Sequence, residues 1–176
     1  MEDGTGTTER SEGSGTAEDV LARIASVDLL TRRGIEAMIV GPLYRAFSDE
    51  FGPENALKAI RKVVEDISLE QGANLAEALG NRSLNTFCGA IRAWSSGGAL
   101  EIEMVEQDDQ RLSFNVTRCR YAELYDELGI RELGVILSCS RDFALIRGFN
   151  PDMGLTRTQT IMEGADHCDF RITMPV

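Results

Sequence analysis

The sequence predicts an α+β fold: N-terminal helices packed on one side of a mostly antiparallel sheet made of two hairpins separated by two helices. Three observations carry this. Apolar residues recur with a 3.6-residue period up to about residue 94. The period becomes two at residue 100, and again near the C-terminus. Between those two regions the helical period returns, which places helices and strands in successive blocks, as in α+β domains.

The elements follow in order. Residues 1–16 hold, apart from Met1, only Gly, Thr, Ser, Glu, Asp and Arg. Such a segment buries too little apolar surface to offset its ordering entropy, so 1–16 is expected to be a disordered tail and 17–176 a single domain. Thr16-Ala17-Glu18-Asp19 reads as a capping box with Asp in the Glu position, and Val20, Leu21, Ile24 and Val27 give the helix that follows one apolar face. A second helix is expected over 30–50, interrupted at Gly41-Pro42 because proline lacks the amide a helix interior needs. Gly52-Pro53 ends it, with Pro53 suited to the first turn of the next helix. Ala56, Leu57, Ile60, Val63, Val64 and Ile67 form the clearest helical stripe. A short helix over 83–94 carries Leu84, Phe87, Cys88 and Ile91.

Leu100, Ile102 and Met104 then alternate with Glu101 and Glu103, and Leu112, Phe114 and Val116 with Ser113 and Asn115, across the polar turn 107–110. This is an antiparallel hairpin with one buried face. Helices are expected over 119–128 and 132–147, separated by Gly129; on the second, Ile136, Cys139, Phe143 and Ile146 form the inward stripe. Strands over 154–163 and 168–174 close the chain, with Cys168, Phe170, Ile172 and Met174 on one face.

Composition excludes several functions. The net charge is −11, from 18 basic and 29 acidic residues. A nucleic-acid binder needs a basic surface to replace phosphate counterions, and docking on an anionic membrane needs the same. No stretch of about 18 apolar residues predicts a membrane span. The N-terminus lacks the basic-then-apolar order of a signal peptide, so a cytoplasmic location is expected. No partner beyond a small-molecule substrate is implied, and a homo-oligomer stays open. Four cysteines, at 88, 119, 139 and 168, are read as free thiols, since their spacings match no zinc pair and a reducing compartment disfavours structural disulfides. No cofactor and no metal are expected. P-loop, G-x-G-x-x-G, H-E-x-x-H and G-x-S-x-G motifs are absent from the sequence.

Three cysteine-centred pieces remain as candidate chemistry. In Cys139-Ser140-Arg141-Asp142 the thiol and carboxylate stand i, i+3 on one helix face; Asp142 is either a proton donor or base, or a solvated residue paired with Arg141 or Arg147. In Arg118-Cys119-Arg120-Tyr121-Ala122-Glu123 a thiol begins a helix between two arginines. It is either a packing residue or a thiol whose thiolate the helix dipole and the cations favour. Cys168 is an inward strand residue. His167, the only histidine, is either a dyad partner for a cysteine or a turn residue.

These pieces, Arg118-Cys119-x3-Glu123, Cys139-x2-Asp142 and Gly164-x3-Cys168-Asp169-Phe170, resemble the L-2-amino-thiazoline-4-carboxylic acid hydrolase family over roughly 85–174. The resemblance implies hydrolytic opening of a small cyclic amidine to an N-carbamoyl amino acid. Over fewer positions the chain is also similar to vinyl-reductase-type ligand-binding domains, and Cys139, Asp142 and Cys168 to the Cys/Asp/Cys set of organomercurial lyases. The expected function is therefore a hydrolase opening a C–N or C=N bond of a cyclic amidine, thiazoline or lactam. Cys139 is favoured over Cys119 as nucleophile, Asp142 as proton donor, and Glu123 as the group that activates water or binds a substrate amine. Arg118 or Arg157 would hold a substrate carboxylate, and Cys168 and His167 would line the pocket. Two alternatives are direct attack by water with the cysteines only lining the pocket, and a non-catalytic binding module. Cys139, Asp142 and Cys168 are expected to meet at one cavity, with Cys119 and Glu123 on its wall.

Overall fold

The structure, a computed structural model, describes residues 16–175. The tail expected over 1–16 lies, Thr16 apart, outside the described residues. Helix α1 (Ala17–Ala25) begins with the capping box: the Thr16 hydroxyl accepts from the Asp19 amide, and the Asp19 carboxylate accepts from the Thr16 amide. Helix α2 (Leu29–Phe51) is capped by Asp28 and runs through Pro42 without a break, contrary to the expected interruption. Tertiary packing overrides the local cost of the proline. Ala37 and Gly41 are buried, and a Cβ on Gly41 would stand 3.5 Å from Ile130, while Pro42 faces outward.

Gly52, at φ 83°, turns the chain into α3 (Pro53–Leu79), which has Pro53 in its first turn. Helix α4 (Leu84–Ile91) is capped by Ser83, and the chain continues as a 3₁₀ segment over Arg92–Gly98. Strands β1 (Leu100–Gln107) and β2 (Arg111–Cys119) pair antiparallel, their turn closed by Asp108, whose carboxylate accepts from the Gln110 and Arg111 amides. With β3 (Gly154–Thr156) and β4 (Cys168–Thr173) they make one antiparallel sheet of order β1-β2-β4-β3. Phe114 of β2 lies opposite Phe170 of β4, their rings stacked with centroids 4.7 Å apart.

The strand expected over 154–163 stops at Thr156. Beyond it the backbone bonds to side chains instead of to a strand. The Asp169 carboxylate takes the Thr158 and Gln159 amides, and Thr160 caps a 3₁₀ turn over Ile161–Glu163.

The helix expected over 132–147 also departs from regularity. Helix α5 (Arg120–Glu127) and α6 (Arg131–Gly134) lead into a π-helical stretch over Val135–Cys139 before α7 (Arg141–Phe149). The Ser140 amide donates to the Val135 carbonyl, five residues back. The wider turn rotates α7 relative to the expected stripe. Ala144 is buried, while Phe143, expected inward, is 40% exposed. Such π insertions concentrate at functional sites. Helices α3 and α7 meet backbone to backbone: a Cβ on Gly72 would lie 2.1 Å from the Leu145 carbonyl oxygen, and one on Gly148 only 2.0 Å from that of Leu69. The buried faces of β2 and β4 pack against this helical layer. Among the described residues no helix is long and apolar enough to cross a membrane.

Candidate active site

A cavity of about 570 Å³ opens between the helices and the inner face of the sheet. The elements deliver its reactive groups from four directions. Cys119 ends β2, Cys139 closes the π turn, Asp142 lies in the first turn of α7, and Cys168 begins β4; all four line the cavity. Arg157, just after β3, joins them and is the organising cation. Its Nη1 donates to Asp142 Oδ2 at 2.5 Å and its Nη2 to the Cys139 carbonyl at 2.9 Å. The guanidinium is sandwiched between Phe143 and Phe170, 5.1 and 4.9 Å from the ring centroids, and the side chain is 6% exposed.

A second charged group lines the same wall from α2 and α7. Arg33 donates from Nη1 to both Glu36 carboxylate oxygens, and Arg141 Nη2 donates to Glu36 at 2.9 Å. Arg32 also lines the cavity. Four arginines, 32, 33, 141 and 157, thus face two carboxylates, Glu36 and Asp142, an excess of two positive charges inside a protein of net charge −11.

Burial governs the titration of these groups. It pushes the Cys119 thiol up to about 11, with the neighbouring Cys168 and Asp142 adding to the rise. Cys139 is raised further, by burial and then by the Asp142 charge, against the pull of Arg157. Cys168 is raised too, although the Ile161 amide donates to its sulfur at 3.3 Å. Asp142 is raised by burial, with Arg157 opposing. Of the two readings open for Cys119, the raised thiol fits the packing residue and not the favoured thiolate. Cys119 is the N-terminal cap of α5, but both flanking arginines turn away from it. Arg118 pairs with Glu101 and Glu123, and Arg120 donates to the Gly97 carbonyl.

Four residues named from the sequence stand outside the cavity. Glu123 is on the surface, held by Arg118 at 2.8 Å, and Arg118 is half exposed there. His167 sits in the turn before β4, against the Gln159 side chain. Asp169 points to the opposite face of β4 from Cys168, toward Thr158 and Gln159. Conversely, Arg33, Glu36 and Arg141 line the cavity without being candidate groups of any cysteine-centred piece. The signal for the first two is faint: Arg32-Arg33 and Glu36 are charges that precede the uncharged stretch 37–44 of the same helix. Among the described residues no three His, Cys, Asp or Glu side chains are grouped to hold a metal ion.

Comparison with known proteins decides the family. The model of the L-2-amino-thiazoline-4-carboxylic acid hydrolases matches residues 32–172. The chain belongs to this family. The match takes in the helical half as well as the cysteine-centred pieces, so every cavity group described above falls inside the family's span. Among curated proteins none matches. Among solved structures, the chain is similar to a trafficking protein particle complex subunit 3 from Naegleria fowleri covalently bound to palmitic acid. The identity is 14% and the TM-score 0.52, over 83% of this chain and 96% of that one. At that identity the likeness is one of fold alone.

Proposed function

We propose that this family member is a hydrolase that opens a C–N or C=N bond of a cyclic amidine, thiazoline or lactam, with Cys139 as nucleophile and Asp142 as proton shuttle. The observation that carries the reading is Arg157, which binds the Asp142 carboxylate and the Cys139 carbonyl with one planar fork and so ties nucleophile and acid to a single rigid unit. The Asp142 carboxylate takes the Cys139 thiol proton as sulfur attacks the ring carbon. In an amidine or lactam the ring carbon–nitrogen bond then breaks and Asp142 returns that proton to the leaving nitrogen; in a thiazoline opened to an N-carbamoyl product the ring carbon–sulfur bond breaks and the proton goes to the leaving sulfur. Water adds to the sulfur-bound carbon and releases the thiol, for a net gain of one water. Proton transfer from the thiol at the moment of attack suits a site whose thiols are held neutral by burial.

Those raised thiol pKa values equally support a second route, in which Asp142 activates water directly and the cysteines only line the wall. A non-catalytic binding module is supported by a different observation, the fold shared with a protein bound covalently to palmitic acid. The test is incubation with 2-amino-thiazoline-4-carboxylate and with lactams, read by mass spectrometry. A product heavier by one water, formed by wild type and not by Cys139→Ser, supports the nucleophile. Product formed equally by Cys139→Ser favours water attack, and no product from any ring favours the binding module.

A further inference from the structure

The cavity is lined by charged side chains at one end and mainly by apolar ones at the other, where Gln71 and Thr86 are the polar members. At the start of α7 stand Arg141 and Asp142, with Arg33 and Glu36 of α2 beside them. One turn further along α7 comes Leu145, and the wall is then built by Leu75 and Leu79 of α3, Ala90 of α4, and Ala93 and Trp94 of the 3₁₀ segment. Leu75 and Leu79 lie toward the C-terminal end of α7, and Trp94 spans from there toward the arginine end, its ring 6.1 Å from that of Phe87 and 6.3 Å from that of Phe170. Gly72 packs on Leu145 and Phe149, and the α3–α4 link is pinned there by Arg82, which donates to the Phe149 carbonyl at 2.7 Å. The side with four arginines against two carboxylates is therefore followed, along one helix, by a lobe of aliphatic and aromatic side chains.

Size sharpens this. At about 30 Å³ for each water-sized group, 570 Å³ holds roughly nineteen such groups. A thiazoline amino acid, with about nine non-hydrogen atoms, would occupy about half of this volume, and the remainder extends to an open rim at the exposed Leu79 and Ala93. A surplus of buried positive charge calls for an anion, and an arginine fork fits a carboxylate.

We infer that the ligand is an amphiphilic carboxylate, whose anionic head lies at the arginine end and whose apolar arm of roughly ten atoms fills the lobe between Leu75, Leu79, Ala90 and Trp94. The inference rests on the reading that this cavity is where the substrate binds, and it makes that substrate a ring carrying both an acid and an alkyl or aryl arm.

Trp94 is the only tryptophan in the chain, so its fluorescence reports on the lobe. Straight-chain carboxylates from butanoate to dodecanoate, kept below micelle-forming concentrations, are titrated into the whole protein, with the matching alcohols and amines alongside. Affinity is expected to rise about fourfold per methylene and level off near ten carbons, with one chain bound per protein. Each alcohol should bind at least tenfold more weakly than its acid, and the amine more weakly still. Ala90→Phe should move the plateau to shorter chains; if that variant fails to fold, the wild-type comparison of acid, alcohol and amine still decides. Affinity independent of chain length, equal binding of the three head groups, or many chains per protein would overturn the inference. Failure of the hydrolase reading looks different. In that case the carboxylates bind as described, yet no ring bearing such an arm gains water. Turnover of the small thiazoline without chain-length dependence leaves the hydrolase standing and removes the arm.

Discussion

Replacing Arg157 with methionine probes the organisation of the site most sharply. Methionine keeps an unbranched stem but removes the charge and the donors. In the native protein the guanidinium satisfies Asp142 and the Cys139 carbonyl and lies between two aromatic rings, with 6% of the side chain exposed. Asp142, itself 20% exposed, would be left without its cation. Removing one partner of a buried pair costs about 3–5 kcal/mol. For a domain of this size each kcal/mol is about 2–4 °C, so the midpoint should fall by roughly 6–20 °C. The loss should depend on pH. Burial already raises the Asp142 carboxyl, and without Arg157 opposing it the folded-state pKa rises further above that of the unfolded chain. Stability held by the protonated carboxyl is then fully present below the unfolded carboxylate range and is lost as pH rises through the folded value. Urea denaturation of wild type and variant at pH 5 and pH 8 reads both effects, with the larger gap at pH 8. Adding Asp142→Asn to the variant should recover much of the pH 8 loss. A cost below about 1 kcal/mol at both pH values, as for an exposed ion pair, would refute the argument.

Asp142→Asn in the otherwise native protein should lower turnover about 10²–10⁴-fold, because asparagine keeps the shape and cannot exchange a proton. Asp169→Asn is the control; it faces Thr158 and Gln159, so it should cost stability through those amides while kcat stays near wild type. Iodoacetamide should label Cys119 slowly at pH 7.5 and about tenfold faster for each pH unit up to about 11, because only the thiolate reacts. A Cys119 rate that levels off near pH 8.5, measured by peptide mass spectrometry, would show that burial does not control the thiol. Gly148→Ala should lower stability by about 3 kcal/mol or more in chemical denaturation, since the added methyl meets the Leu69 backbone and the α3–α7 contact must open.

What was legible in the sequence was local or periodic. The first hairpin follows from alternation over 100–104 and 112–116, and the same parity turns Cys168, Phe170 and Ile172 to the buried face. The three cysteines and Asp142 that line the cavity all fell within short, recognisable pieces of chain. The rest depended on contacts no spacing announces. Arg157 reaches Asp142 and Cys139 from an irregular segment after β3, while the neighbours Arg141 and Arg147 looked the nearer partners for Asp142. Arg33 and Glu36 meet Arg141 only because α2 packs against the helical layer more than a hundred residues away in sequence. The passage of α2 through Pro42 and the π turn before Cys139 have the same origin, since packing there outweighs a local preference. Glu123 illustrates the converse. It sits four residues from Cys119, yet the flanking arginine Arg118 holds it on the surface.

The most direct test of the account is to look for the bond that its chemistry requires. Protein mixed with 2-amino-thiazoline-4-carboxylate, or with a ring bearing an apolar arm, is quenched in acid during turnover, digested and mapped by mass spectrometry. The account predicts a substrate-derived adduct on the peptide containing Cys139, absent from those of Cys119 and Cys168 and lost in Cys139→Ser together with turnover. Steady release of a product heavier by one water with no adduct on any cysteine, and undiminished in Cys139→Ser, would contradict it.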